Sequence, residues 1–155
     1  MKMLLIGLGI LATVAFFGCA AQTQQMKFQP AIISPGVKDV QVVYLWDVDG
    51  HIDLDLLRAM KAEATRELKE KGFRVSAEAG ATECYVKLTV INANRNGDLH
   101  KSYIRARMYL LNAQDSSTLY DKTAEAWATG GSYEGPEYPV KEVVAELVKE
   151  LPARK

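Results

Sequence analysis

Residues 102–111, SYIRARMYLL, alternate with a period of two. Ile104, Ala106, Met108 and Leu110 fall on one side, and Tyr103, Arg105, Arg107 and Tyr109 on the other. Successive side chains of a strand point to opposite faces, so this pattern predicts a half-buried β-strand and excludes a helix of period 3.6. Such a strand needs partners for its backbone and a layer to cover its apolar side. The Tyr/Arg side is then left to face outward.

The flanking sequence supplies the partners. Residues 84–91 place Cys84, Val86, Leu88 and Val90 on one face, and Asn96-Gly97 is a hairpin signal between this run and the next. Residues 119–129 place Ala124, Ala126 and Ala128 together, small enough for a helix to pack closely. Upstream, DVQVVYLW (39–46) is β-branched and aromatic on both sides, and GFRVS (72–76) predicts a short strand parallel to it. Two helices complete the pattern. Over 53–71, Asp53 is placed to cap, Asp55 suits the first turn, Leu54, Leu57, Ala64 and Leu68 form a stripe with Met60 beside it, and Gly72 ends it. From Pro139 to Leu151 the stripe is Val140, Val143, Val144, Leu147, Val148 and Leu151, with Pro139 at the first helical position and Pro152 beyond the end. The order β-α-β-β-β-β-α predicts an α+β fold, a two-layer sandwich whose mixed sheet carries both helices on one face. At 155 residues the chain has room for one domain, placed at 39–152.

The N-terminus predicts a location. Lys2 precedes an apolar run from Met3 to Phe17, followed by Gly18, Cys19, Ala20 and Ala21. This is the layout of a secretory signal peptide over 1–18. Gly18-Cys19 after the apolar run resembles the lipobox of bacterial lipoproteins, although Phe16 and Phe17 stand where that family prefers Leu and a small residue. The resemblance implies cleavage between Gly18 and Cys19, diacylglycerol on the Cys19 thiol, and acylation of the new amine, palmitate being the usual chain. Ala20, in place of Asp, resembles sorting to the outer membrane, with the domain facing the periplasm. Residues 19–38, Gln-rich at first and then carrying Pro30, Pro35 and Gly36, read as a flexible tether. Nineteen Lys and Arg balance nineteen Asp and Glu, and no basic stripe is visible, so there is no electrostatic case for nucleic acid. Cys84, the other cysteine, reads as a buried inert thiol. No cofactor is expected beyond the lipid on Cys19.

One stretch looks like chemistry. VVYLWDVDGHI (42–52) resembles the first motif of haloacid-dehalogenase-type phosphatases, which implies Asp47 as nucleophile, Asp49 as general acid/base and Mg²⁺ between them. His51 departs from the motif, and its later partners do not follow. An EF-hand alignment over the same residues puts Leu45 and Leu56 at the first and twelfth ligand places, where neither can coordinate. Asp and Gly also do what a strand-to-helix turn requires, and that reading leaves no residue of the stretch without a role.

In outline, LKEKGFRVS, ATECYVKLTVINA, ARMYLLNAQDSSTLYDKTAEA and the last amphipathic helix resemble envelope lipoprotein domains related to the amino-terminal domain of TolB, a group that includes the curli-secretion lipoprotein and activators of peptidoglycan synthases. The resemblance implies a fold and a compartment and carries over no site residue. It implies a non-catalytic domain that presents a surface to an envelope partner. The candidate surface residues are Tyr103, Arg105, Arg107 and Tyr109, with Tyr133 and Tyr138 in the loop GGSYEGPEYP.

Overall fold

The three apolar alternations at 84–96, 101–112 and 118–129 pair as an antiparallel meander, and everything else is built on it. In the computed structural model, which describes residues 22–50, 53–130 and 137–154, they are β6 (Cys84–Asn96), β7 (Lys101–Asn112) and β8 (Thr118–Thr129). Before them come β1 (Gln22–Phe28), β2 (Ile32–Ile33), β3 (Val42–Leu45), β4 (Asp49–Gly50), α1 (Leu54–Glu70) and β5 (Arg74–Val75). After them comes α2 (Val140–Val148). The strands form one open mixed sheet in the order β1-β8-β7-β6-β3-β5, with β2 on β8 and β4 on β6. β3 runs parallel to both β5 and β6, as the helix between β3 and β5 requires. The fold is α+β, as expected, with α1 and α2 packed against each other on one side of the sheet.

The core lies between that side and the helices. Ile104, Ala106, Met108 and Leu110 meet Cys84, Val86 and Leu88, Ala124 and Ala126, and then Met60, Ala64 and Leu68 of α1 and Val143, Val144 and Leu147 of α2. The stripe on α1 is Leu56, Met60, Ala64 and Leu68 at strict four-residue spacing. Leu54, expected on it, is 68% exposed in the first turn. The caps behave as the sequence predicts. The Asp53 carboxylate accepts from the Asp55 N–H at 2.8 Å. Gly72, at φ 89°, closes the far end as the left-handed residue of a Schellman motif. There the Phe73 N–H bonds the Leu68 carbonyl and the Gly72 N–H bonds that of Lys69.

The expected tether is corrected. Residues 22–28 pair with β8 from Gln22↔Thr129 to Phe28↔Ala124, with a bulge between Thr23 and Gln25. Ile32 and Ile33 continue along the same strand against Asp121 and Tyr120, and 35–39 form a 3₁₀ turn that buries Val37. The edge of β8 offers a full row of unpaired backbone groups, and those hydrogen bonds outweigh the weak strand preference of glutamine. At the other end the Arg154 guanidinium donates to the carbonyls of Val37 and Lys38. The described domain thus extends beyond 39–152 in both directions.

One charged residue sits in the core. Lys122, on β8 with the inward parity of Ala124 and Ala126, is 1% exposed. Its ammonium meets Glu146, in the last turn of α2, at 2.8 Å and Glu150, just beyond the helix, at 2.7 Å. The Phe28 ring covers it at 5.1 Å, and the Ala31 N–H donates to Glu150. The N-terminal segment therefore closes the buried ion cluster.

Candidate functional site

Asp47 and Asp49 do not face each other across a metal position. Asp47 pairs with Lys61 of α1 at 2.5 Å and Asp49 with Lys87 of β6 at 3.1 Å. Asp47, Asp49 and Lys87 line a cleft with Trp46, and each carboxylate already has a counter-charge. Gly50 has a packing reason: a Cβ there would lie 2.9 Å from the Val90 carbonyl oxygen and 3.0 Å from Val90 Cβ. Asp49 and Gly50 form β4, which lies parallel to Thr89 and Val90 at that close approach. Among the described residues no group of three His, Cys, Asp or Glu could hold a metal ion. His51 lies outside the described residues, as do Gly18 and Cys19.

The sheet face away from the helices gathers the expected β7 residues and several more. The Tyr103 hydroxyl donates to Glu125 at 2.8 Å, and burial, followed by that carboxylate, pushes its pKa up to about 12. Its ring lies 5.0 Å from Trp127, which Lys27 of β1 covers at 5.1 Å. Arg105 sits 3.9 Å from Glu125. Arg107 makes a two-pronged contact with Asp121 at 2.7 and 2.5 Å and stacks over Tyr109. Toward the other edge, Tyr85 contacts both Tyr44 and Trp46, and Trp46 is 50% exposed. The result is a continuous aromatic and charged surface, with Arg107 held in place by Asp121.

Asp121, Glu125 and Trp127 were readable from the sequence, because they have the parity opposite to Ala124, Ala126 and Ala128. Tyr138 does not belong to this face. It packs against the core on the helix side, where the Arg95 guanidinium lies 5.9 Å from its ring. Tyr133 lies outside the described residues. Cys84 is fully buried, and desolvation pushes its thiol pKa up to about 12, so it is inert as expected.

No family model matches the chain, and no curated protein does. Solved structures do. The PelC dodecamer from Paraburkholderia phytofirmans superposes with a TM-score of 0.62 at 11% identity, covering 84% of this chain and 100% of that one. A DUF4136 family protein from Bacteroides thetaiotaomicron gives a TM-score of 0.57 at 8% identity, covering 84% and 100%. Lipoprotein GNA1162 from Neisseria meningitidis gives 0.52 at 13% identity, covering 70% and 93%. The fold is thus one that bacterial lipoproteins use. At these identities the likeness extends to the fold alone.

Proposed function

We propose that this chain is a lipid-anchored cell-envelope lipoprotein whose domain binds an envelope partner through the open sheet face and catalyses no reaction. The observation that carries the proposal is that face. Trp46, Tyr85, Tyr103, Tyr109 and Trp127 lie on it with Arg105 and the pre-oriented Arg107, and Trp, Tyr and Arg are the residues that most often dominate interface energies. In this reading Cys19 carries the diacylglyceryl and acyl chains, the membrane is the outer one, and the domain faces the periplasm, in keeping with the TolB-domain resemblance. Photo-cross-linking probes at Tyr109 and Trp46 in cells are expected to capture the same discrete envelope protein, while a probe at Glu70 on α1 is not. Equal patterns from both faces would end the proposal. Cys19→Ala is expected to abolish palmitate labelling and release the chain from membranes, and unchanged membrane retention would contradict the anchor. Mg²⁺-dependent turnover of a generic phosphomonoester, abolished by Asp47→Asn, would overturn the non-catalytic reading.

A specific observation favours a second partner, another copy of the chain. The PelC structure of similar fold is a dodecamer, and here the β1–β2 edge exposes Phe28, Ile32 and Ile33 at 51%, 71% and 43%. Light scattering on Cys19→Ser protein is expected to give assemblies that Ile32→Glu dissociates. A particle of monomer mass at every concentration, measured on the chain from residue 19 onward, would exclude it.

A further inference from the structure

We infer that one end of the sheet, made by the β6–β7 hairpin tip with Leu99 and by the first turn of α1 with Leu54, is a second membrane contact that seats the domain on the bilayer interface. The inference rests on the proposed lipidation of Cys19.

It starts from chain length. Ala20 and Ala21 stand between Cys19 and Gln22, the first residue of β1, a span of three Cα–Cα steps. Fully extended, they reach about 11 Å. Had 19–38 been a tether, the domain could sit at any distance and in any orientation. Instead β1 is zipped to β8, and the Ala31–Glu150 hydrogen bond and the Phe28 ring over Lys122 fasten its far end. The leash is therefore short and its attachment point fixed.

The register says what lies at that point. Gln22 pairs with Thr129, and Thr129 pairs with Lys101 on its other side. With neighbouring strands about 4.8 Å apart, Lys101 lies roughly 10 Å from Gln22. The hairpin tip follows directly, where the His100 carbonyl accepts from the Gly130 N–H at 3.0 Å. α1 begins at the same end: its Ala59 lines one cleft with Ala128 of β8, Tyr138 and Pro139. Leu54 and Leu99 are 68% and 62% exposed, the two most exposed large apolar side chains among the described residues apart from Ile32. Ile32 pairs with Asp121, eight residues along β8 from Thr129 and so about 26 Å farther from the leash. The headgroup layer is roughly 5–8 Å deep on each side of the hydrocarbon. A leash of ~11 Å thus keeps this end within reach of the interface, where leucine gains by burial and the exposed Lys101 can stay among phosphates.

The test uses the processed, lipidated chain in vesicles of phosphatidylethanolamine and phosphatidylglycerol. Cys19 would be blocked by lipid and Cys84 is buried, so an added cysteine takes an environment-sensitive dye selectively. Leu99→Cys is compared with Ile32→Cys on the sheet edge and Gln114→Cys in the far turn. The inference predicts that all three float with vesicles and that only the dye at 99 shifts to the blue and is quenched by a lipid-borne quencher. Flotation without a shift at 99, or a shift at 32 in its place, overturns the seating and leaves the lipid anchor standing. Failure of all three to float overturns both.

Discussion

The molecule holds two lysine–carboxylate groups that look alike in composition and differ in burial. Around the acidic stretch, Asp47–Lys61 and Asp49–Lys87 are surface pairs, with the carboxylates 87% and 55% exposed. Under the N-terminal strand, Lys122 is wholly buried between Glu146 and Glu150. Water screens the first group, so it contributes little and is free to vary. In the second, Lys122 and Glu146 are buried while Glu150 is 35% exposed at its rim, so the lysine and Glu146 depend on each other most. The stretch that resembled an active site is thus the more dispensable of the two, and a lysine with no motif around it holds the N-terminal segment to the fold.

The contrast is broken most severely at Lys122. Lys122→Ala leaves the buried Glu146 with the exposed Lys149, at 3.2 Å, as its remaining counter-charge, and the loss of stability is expected to be about 3 kcal/mol, the lower end of what breaking a buried pair costs, read as a fall in the urea midpoint. Adding Glu146→Leu and Glu150→Gln to Lys122→Met is expected to recover most of it. A mild effect of Lys122→Ala would mean that the cluster is wet.

A smaller effect is expected from pH. The Lys122 hydrogen bond holds the Glu150 carboxyl below the usual carboxylate range, and the backbone N–H groups of Gln41 and Val42 do the same for Glu83. Both folded-state values lie below the unfolded one, so the folded chain binds fewer protons. Their stabilisation is complete above about pH 4.3 and is lost as pH falls through the folded values. Urea midpoints measured from pH 6 to pH 3 should fall at the acid end, and Glu150→Gln should flatten part of that fall. An unchanged acid limb in Glu150→Gln would show that the carboxyl is not engaged.

The smallest effect belongs to the acidic stretch. Asp47→Asn should shift stability by no more than ~0.5 kcal/mol, with the same midpoint in the presence and absence of Mg²⁺. A Mg²⁺-dependent rise in the wild-type midpoint that Asp47→Asn removes would reopen the metal reading.

Strands and helices whose burial is periodic were legible in the sequence. β7 and α2 repeat their apolar residues at the strand and helix periods, and the structure buries those residues apart from the half-buried Val140. The outward Tyr103, Arg105, Arg107 and Tyr109 followed from the same alternation. β1 was not legible, because QTQQMKF has little intrinsic preference for a strand and takes its order from the exposed edge of β8. β6 runs past 91 to Asn96 through polar residues because the hairpin ladder holds it there. A bulge between Val90 and Asn92 resets its parity, so that Asn92 pairs with the outward Arg105 and Ala93 with the inward Ile104. Lys122 had the inward parity all along, but a lysine at a core position is credible only once two carboxylates are placed beside it. That pairing crosses from the sheet to a helix, and local sequence does not encode it.

The residues from Gln22 onward, three positions after Cys19, belong to the folded domain. Amide hydrogen exchange on the full lipidated chain tests it directly, at the β1 amides that donate to β8. The account predicts protection within about tenfold of that in β7, and its loss in Lys122→Ala. Exchange of residues 22–28 at the rate of unstructured chain, with β7 protected, would contradict it.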